Sequence, residues 1–330
     1  MKFKVDVVRN LAVAGLAVGL LASCGGGTQV EAFVPKRVVV FGDEASFIQS
    51  DGKKYTVNGV QFDTTVTPIV PKPGPVLDCT INPIWVQTLA YTYGMAFPGC
   101  ATTGYAVTGL MNAAPGATVA GVVGQVDKFF SDGLTFASND LVTVMAGTND
   151  VKALYEQWAA DPSVNQGALI AAAQQAGAAL SAQVVRITDR SAKVIVSTIP
   201  SLSLTPYAIA QEAAHPGAAA LLYNLSYQFN SQLRLGLEKV RDGGHSVGLI
   251  LSDELLLSMA QVPSAYAITN VTQAACTVAL PNCDMTTTLD ASTTGSYGAF
   301  YLWADDYRMG ATAQGRIAGI AVNRAHSNPF

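Results

Sequence analysis

Two acidic pairs, Asp43-Glu44 and Asp305-Asp306, an Asn149-Asp150 pair and an arginine three residues beyond Asp305 are the residues whose types and spacing could do chemistry. Four carboxylates brought together would suit a hard cation such as calcium or magnesium. Arg308 in their midst opposes that, so neither a metal nor another cofactor is expected. Glu44 and Asp305 could instead flank a glycosidic bond, a reading that depends on their separation in space. Nucleophiles are scarce. Ser46 lies two positions beyond Glu44, turned by about 200° from it if the segment is helical, and reads as a cap. Ser296, in Thr294-Gly295-Ser296-Tyr297-Gly298, is one residue short of a Gly-x-Ser-x-Gly elbow and follows no strand pattern. Of three histidines, His245 precedes a strand on the far side of the sheet and His326 lies in the C-terminal tail. His215 follows a strand and reads as a surface residue at a helix start.

The elements that must position these residues alternate. Short β-branched runs at Val38 to Phe41, Tyr105 to Val107, Leu141 to Ala146, Lys193 to Thr198 and Val247 to Leu251 predict five strands of a parallel sheet covered on both faces. Between them Leu169, Ala173, Ala176, Leu180, Val184 and Ile187 recur at helical spacing, as do Leu222, Leu225, Phe229, Leu233, Leu237 and Val240. Both stripes are core-facing. Asn82-Pro83 is placed to start a helix over Ile84 to Tyr93 that Gly94 ends, and a last helix runs from Ala311 to about Ala325. Two irregular insertions, Phe47 to Asp78 and Ala274 to Tyr297, are long enough to wall a binding site. In an open α/β sheet the loops leaving the strands converge on one crevice. Residues 41 to 44, 107 to 109 and 147 to 150 are such loops.

The N-terminus is of another kind. Lys2, Lys4 and Arg9 precede an apolar run from Leu11 to Leu21, which ends in Leu21-Ala22-Ser23-Cys24 and three glycines. Residues 1–23 read as a signal peptide, 24–36 as a tether and 37–330 as one domain. The cleavage site resembles the lipobox of bacterial lipoproteins, which implies a lipid on Cys24, anchorage to a membrane and export to the cell envelope. Ordinary cleavage with Cys24 unmodified is the rival. Gly25 lacks the aspartate associated with inner-membrane retention and points to the outer membrane. After cleavage, 16 basic residues stand against 22 acidic ones, a net charge of −6, which does not equip the chain to hold nucleic acid. Past the leader, no further stretch reads as a membrane span. Half of all residues are apolar, enough for a large buried core.

Cys79, Cys100, Cys276 and Cys283 form an even set in an exported chain, which predicts two disulfides. Three pairings are open, and the local one, Cys79 with Cys100 and Cys276 with Cys283, closes the shortest loops, for a contribution of about 2–3 kcal/mol each. A zinc site is the rival, but no paired Cys-x-x-Cys and no neighbouring histidine supports it.

Four blocks, Phe41-Gly42-Asp43-Glu44, Tyr105 to Gly109, Ala146-Gly147-Thr148-Asn149-Asp150 and Ala304-Asp305-Asp306-Tyr307-Arg308, stand in the order of the blocks of the SGNH, or GDSL, hydrolases. The chain resembles the branch of secreted lipases, lecithinase-like phospholipases and autotransporter esterases, over residues 37 to 325. Ile84 to Ala90, Phe229 to Leu233 and Ser264 to Tyr266 followed by Thr269 to Thr272 share in the likeness. The resemblance implies a three-layer α/β/α, flavodoxin-like fold with a five-stranded parallel sheet. It also implies an ester-hydrolase site with oxyanion donors at Gly109 and Asn149 and an acid at Asp305. Here the chain departs from the pattern, because the nucleophilic serine falls on Glu44 and the basic histidine on Arg308. A guanidinium stays protonated at any working pH and takes no proton. A triad enzyme stripped of both partners retains only about 10³–10⁴ of rate over water. The expected function is therefore non-hydrolytic binding of an ester, acylated glycan or lipid. The rivals are an active esterase or lipase using Ser46 or Ser296, and a structural envelope protein with a vestigial pocket and a protein partner. The two replacements should form an ion pair, worth roughly 4 kcal/mol at 4 Å and an effective dielectric of 20 before desolvation.

Overall fold

The computed structural model describes residues 33–245, 247–291 and 295–327. The expected signal peptide, Cys24 and residues 24 to 32 of the tether lie outside the described residues. Five strands form one parallel sheet: β1 (Arg37–Gly42), β2 (Leu110–Met111), β3 (Asp140–Met145), β4 (Lys193–Ser197) and β5 (Val247–Ile250). Their order is β2-β1-β3-β4-β5. Chain direction across the sheet reverses between β1 and β3, the position where α/β sheets open a crevice at their carboxyl ends.

Register explains the apolar strands. Val39, Val142, Val194 and Val247 lie opposite one another in turn, and Phe41, Val144 and Val196 form the next such row. Both rows enter one buried core with the inner faces of α2 (Val119–Ser131), α3 (Thr148–Ala160), α4 (Gln166–Thr188), α5 (Pro206–Ala214) and α6 (Ala218–Asp242). Residues one step out of phase, such as Val38, Val40 and Leu141, are equally buried, because strand side chains alternate between faces and this sheet is covered on both. On the other side α1 (Trp85–Thr92) packs against α8 (Ala311–His326), and α8 touches α7 (Ser252–Gln261) and β5. The three-layer α/β/α architecture with five parallel strands is the one expected.

Some local expectations give way. The strand predicted at Tyr105 to Val107 is not in the main sheet: Ala106–Val107 pairs with Met95–Ala96 in a separate two-stranded sheet, and Leu110 and Met111 line up with Val39 and Val40 instead. Leu110 packs against the main core whereas Val107 is exposed, so burial decides which pair of residues joins β1. Helix α1 is capped by Ile84, not Asn82; Asn82 sits at φ +52° and donates its amide to Val57 O. Helix α4 is long and apolar enough to cross a membrane by length and composition, contrary to the expectation of no span after the leader. Its Leu169, Ala173, Leu180, Val184 and Ile187 are buried in the sheet's core, which marks it as a core helix.

Disulfides join Cys79 to Cys100 and Cys276 to Cys283, the local pairing. The two insertions pack on one another through Asn58, whose side-chain amide donates to the carbonyls of Pro281 and Cys283 at 2.8 Å. Lys54, fully buried, donates Nζ to the carbonyls of Cys79, Ile81 and Asn82 at 3.0, 3.1 and 3.0 Å. Burial pulls this ammonium down to about 7.

Candidate functional site

Glu44 is delivered by the end of β1. Gly42 takes φ +146°, and a Cβ there would lie 2.1 Å from Met145 O, so only glycine lets β1 run this close to β3. Gln125 clamps the same residue from α2, accepting Gly42 N–H at 2.9 Å and donating to Gly42 O at 2.8 Å. Asp43 then caps a single 3-10 turn, Glu44–Ser46, by accepting Ala45 N–H at 3.0 Å. The Glu44 side chain is fixed by that turn and is buried.

Each oxygen of its carboxylate has its own set of donors. Oε2 accepts Gly116 N–H at 2.8 Å and the Asn149 amide at 2.9 Å. Oε1 accepts Arg308 Nε at 2.9 Å and meets Nη2 at 2.9 Å, with the Tyr307 hydroxyl at 3.4 Å. Asn149 comes from the first turn of α3, placed by Gly147 at φ +128°, where any side chain would strike the Phe229 ring. Its amide also donates to Ala117 O. Asp150 turns the other way and accepts Val119 N–H at the start of α2.

Arg308 is held on a second side by Asp305. Nη1 donates to Asp305 Oδ2 at 2.6 Å, and Asp305 Oδ1 takes the Arg308 and Tyr307 backbone N–H groups. The guanidinium lies 4.3 Å from the Tyr307 ring centre and 5.3 Å from that of Tyr55, within cation–π range. Burial alone would raise the Glu44 carboxyl. The Asn149 amide, the Arg308 charge and backbone donors including Gly116 outweigh it and hold Glu44 below the ordinary glutamate range. Burial works against the Arg308 charge, but Asp305 and Glu44 outweigh it and raise the guanidinium further. Asp43, wholly enclosed, is pushed well up by burial and then by the Glu44 charge. Burial likewise lifts Asp150 to about 6.

A family model described as GDSL-like lipase/acylhydrolase matches residues 38–283. The chain belongs to that family. Among solved structures, it is similar to an acetylxylan esterase from Geobacillus stearothermophilus at 11% identity and a TM-score of 0.46, over 90% of this chain and 97% of that one. A protein of Agrobacterium tumefaciens provisionally assigned as an arylesterase is similar at 13% identity and a TM-score of 0.38, over 87% and 97%. A comparison with curated proteins finds no match.

Within this GDSL-like domain the structure brings Glu44, Asn149, Asp305 and Arg308 together and leaves Gly109 out. The expectation of an oxyanion donor at Gly109 is corrected: its N–H is bonded to Ala96 O at 3.0 Å, and a Cβ there would strike Phe97. Gly116 N–H occupies the place beside the Asn149 amide. Nothing but its position in Pro115-Gly116 marked it in the sequence, and Tyr55 and Tyr307 carried no signal either. Ser46 does not cap the turn, which Asp43 does; it is buried and its Oγ accepts the Trp85 indole N–H at 3.1 Å. Ser296 lies in the loop before Tyr301–Trp303 and is not among the residues lining the cleft.

No imidazole lines the cleft of this GDSL-family member either. His215 ends α5 rather than starting a helix, with its ring against Trp158; His245 meets Asp189 at 3.2 Å; His326 packs on Tyr93. Among the described residues no cluster of three or more His, Cys, Asp or Glu side chains is arranged to hold a metal. Asp43, Glu44, Tyr55, Thr148, Tyr307 and Arg308 are among the walls of a cleft with about 30 Å³ of free volume. That is room for water and not for an acyl chain.

Proposed function

We propose that this chain is an exported, lipid-anchored, non-hydrolytic member of the GDSL family whose reaction centre is closed by its own Glu44. One observation carries the reading: the Gly116 and Asn149 donors, which would otherwise stabilise an ester's developing oxyanion, are satisfied by the Glu44 carboxylate, and Arg308 locks that carboxylate from the other oxygen. Donors aimed at a resident anion have nothing left to offer a transition state. Glu44 and Arg308 take the positions of nucleophile and base, with Asp305 as the acid behind the base and Gly116 in place of Gly109 beside Asn149. The ligand is an ester, acylated glycan or lipid taken at the rim made by Tyr55, Tyr307 and Met309, with the carbonyl outside the donor pair. The membrane is reached through the lipid on Cys24, in the outer membrane.

The small free volume of the cleft favours a second reading, a structural envelope protein that takes no ligand there. Both readings share the absence of turnover. The purified chain should release no p-nitrophenol from p-nitrophenyl acetate or butyrate above a heat-denatured control and should resist a fluorophosphonate probe. Turnover at ordinary esterase rates, or a labelled serine, would end both.

A further inference from the structure

A second cavity opens at the carboxyl ends of β4 and β5 and shares no lining residue with the cleft. Its free volume is about 210 Å³, well above that of the cleft and below the roughly 300 Å³ where drug-sized sites begin. One wall is the outward side of α6, where Tyr223 and Tyr227, four residues apart, stand 54% exposed each. Their rings are 16° from parallel with centres 6.0 Å apart. Large aromatics left in water at neighbouring positions of a helix contribute little to the fold, whose core lies on the Leu222, Leu225 and Phe229 side.

The rest of the lining is polar and pre-arranged: Asn230 and Arg234 come from α6 itself, and Ser201, Ser203, Asp253 and Glu254 from the segments that follow β4 and β5. Arg234 donates Nη2 to both oxygens of Asp253, at 2.8 and 2.6 Å, and Nη1 to Glu254 Oε1 at 2.9 Å. Asp253 is fixed in turn by the Thr198 hydroxyl at 2.7 Å, and Asn230 is tied to the Ile199 backbone. Ser201 and Ser203, also in the lining, share a hydroxyl contact of 2.9 Å. Two carboxylates outnumber the one guanidinium, so the wall repels anions. A lipid chain would strip water from this charged network and offer it no hydrogen bond in return. A neutral sugar ring suits both the aromatic and the polar lining, since its flat C–H face packs on a phenol and its edge hydroxyls reach carboxylate, guanidinium and serine.

We infer that this cavity is a glycan-binding site for one or two rings of a neutral oligosaccharide, with Tyr223 and Tyr227 as the stacking platform and Glu254, Arg234, Ser201 and Ser203 as the hydroxyl partners. It does not depend on what happens at Glu44, and no hydrolysis assay enters its test.

Titration calorimetry of the purified chain with cellotetraose, chitotetraose and maltotetraose tests it. At least one of the three binds, Tyr223→Ala and Tyr227→Ala each weaken it about tenfold, and Tyr223→Phe and Tyr227→Phe restore it because the ring faces remain. Both positions are exposed, so the variants should keep the wild-type circular dichroism spectrum and their loss reads as lost contact. No binding of any of the three at millimolar concentration overturns the site. So does binding that is indifferent to both tyrosines.

Discussion

Arg308 Nε lies 2.9 Å from Glu44 Oε1, across 264 residues of sequence, and the other oxygen of that carboxylate receives Gly116 and Asn149. Arg308 itself spans two acids, because Asp305 holds its Nη1. Such a closed network has little value for stability in excess of its desolvation cost when intact, and a large penalty when one member is removed. The Glu44 and Arg308 side chains are each held by partners on both sides.

Removing one partner should therefore cost more than removing both. Arg308→Met leaves Glu44 buried without its counter-charge and should lower unfolding stability in urea by about 3 kcal/mol or more. Glu44→Gln combined with Arg308→Met should recover most of that loss. Additive losses in the double variant would mean that the ion pair carries no coupling.

Exchanging the pair for the family's residues should reopen chemistry. Glu44→Ser with Arg308→His frees Gly116 and Asn149 and supplies a hydroxyl and an imidazole backed by Asp305. p-Nitrophenyl acetate hydrolysis should rise at least about 10³-fold over the unmodified chain, while Glu44→Ser alone stays near background. Adding Asn149→Ala to the active pair should cut kcat by about 10²-fold if its amide is an oxyanion donor. A double exchange as inert as the starting chain would show that the cleft has lost more than two side chains.

Lys54 offers a test of the insertion that carries Tyr55. Lys54→Met keeps the stem's volume and takes the ammonium away from three carbonyls: Ile81 and Asn82 lose their side-chain donor, whereas Cys79 keeps the Gln87 amide. The expected loss in thermal or urea unfolding is about 3 kcal/mol. A neutral result would mean that water replaces the ammonium at no cost.

Acid should act through two groups of opposite sign. Glu44 titrates below its ordinary value of 4.5, so its stabilisation is complete above that pH and is lost as pH falls through the lowered folded value. Asp150, raised from 3.8 to about 6 by burial, takes up its proton earlier in the folded state, so its contribution rises as pH falls from about 6 to about 4. The Tm of the unmodified chain minus that of Asp150→Asn should accordingly grow between pH 7 and pH 4.5. A constant difference across that interval would contradict the raised value.

The sequence alone determined what repeats over short distances. Strand runs, helical stripes and the even cysteine set depend on neighbours a few residues away, and so β1, β3, β4, β5 and the core faces of α4 and α6 were legible. The positions of Glu44 and Arg308 were legible as well, from the order of the blocks and the likeness they carry. Tertiary structure decided the rest. The donors to the Glu44 carboxylate come from 72, 105 and 264 residues away, and no periodicity encodes which backbone N–H arrives there. Gly116 replaced Gly109 because the Gly109 N–H is taken by Ala96 O, in the strand that pairs with Ala106–Val107 outside the main sheet. The Tyr223 and Tyr227 wall was likewise invisible, since an exposed aromatic on a helix acquires meaning only from the loops that β4 and β5 fold opposite it.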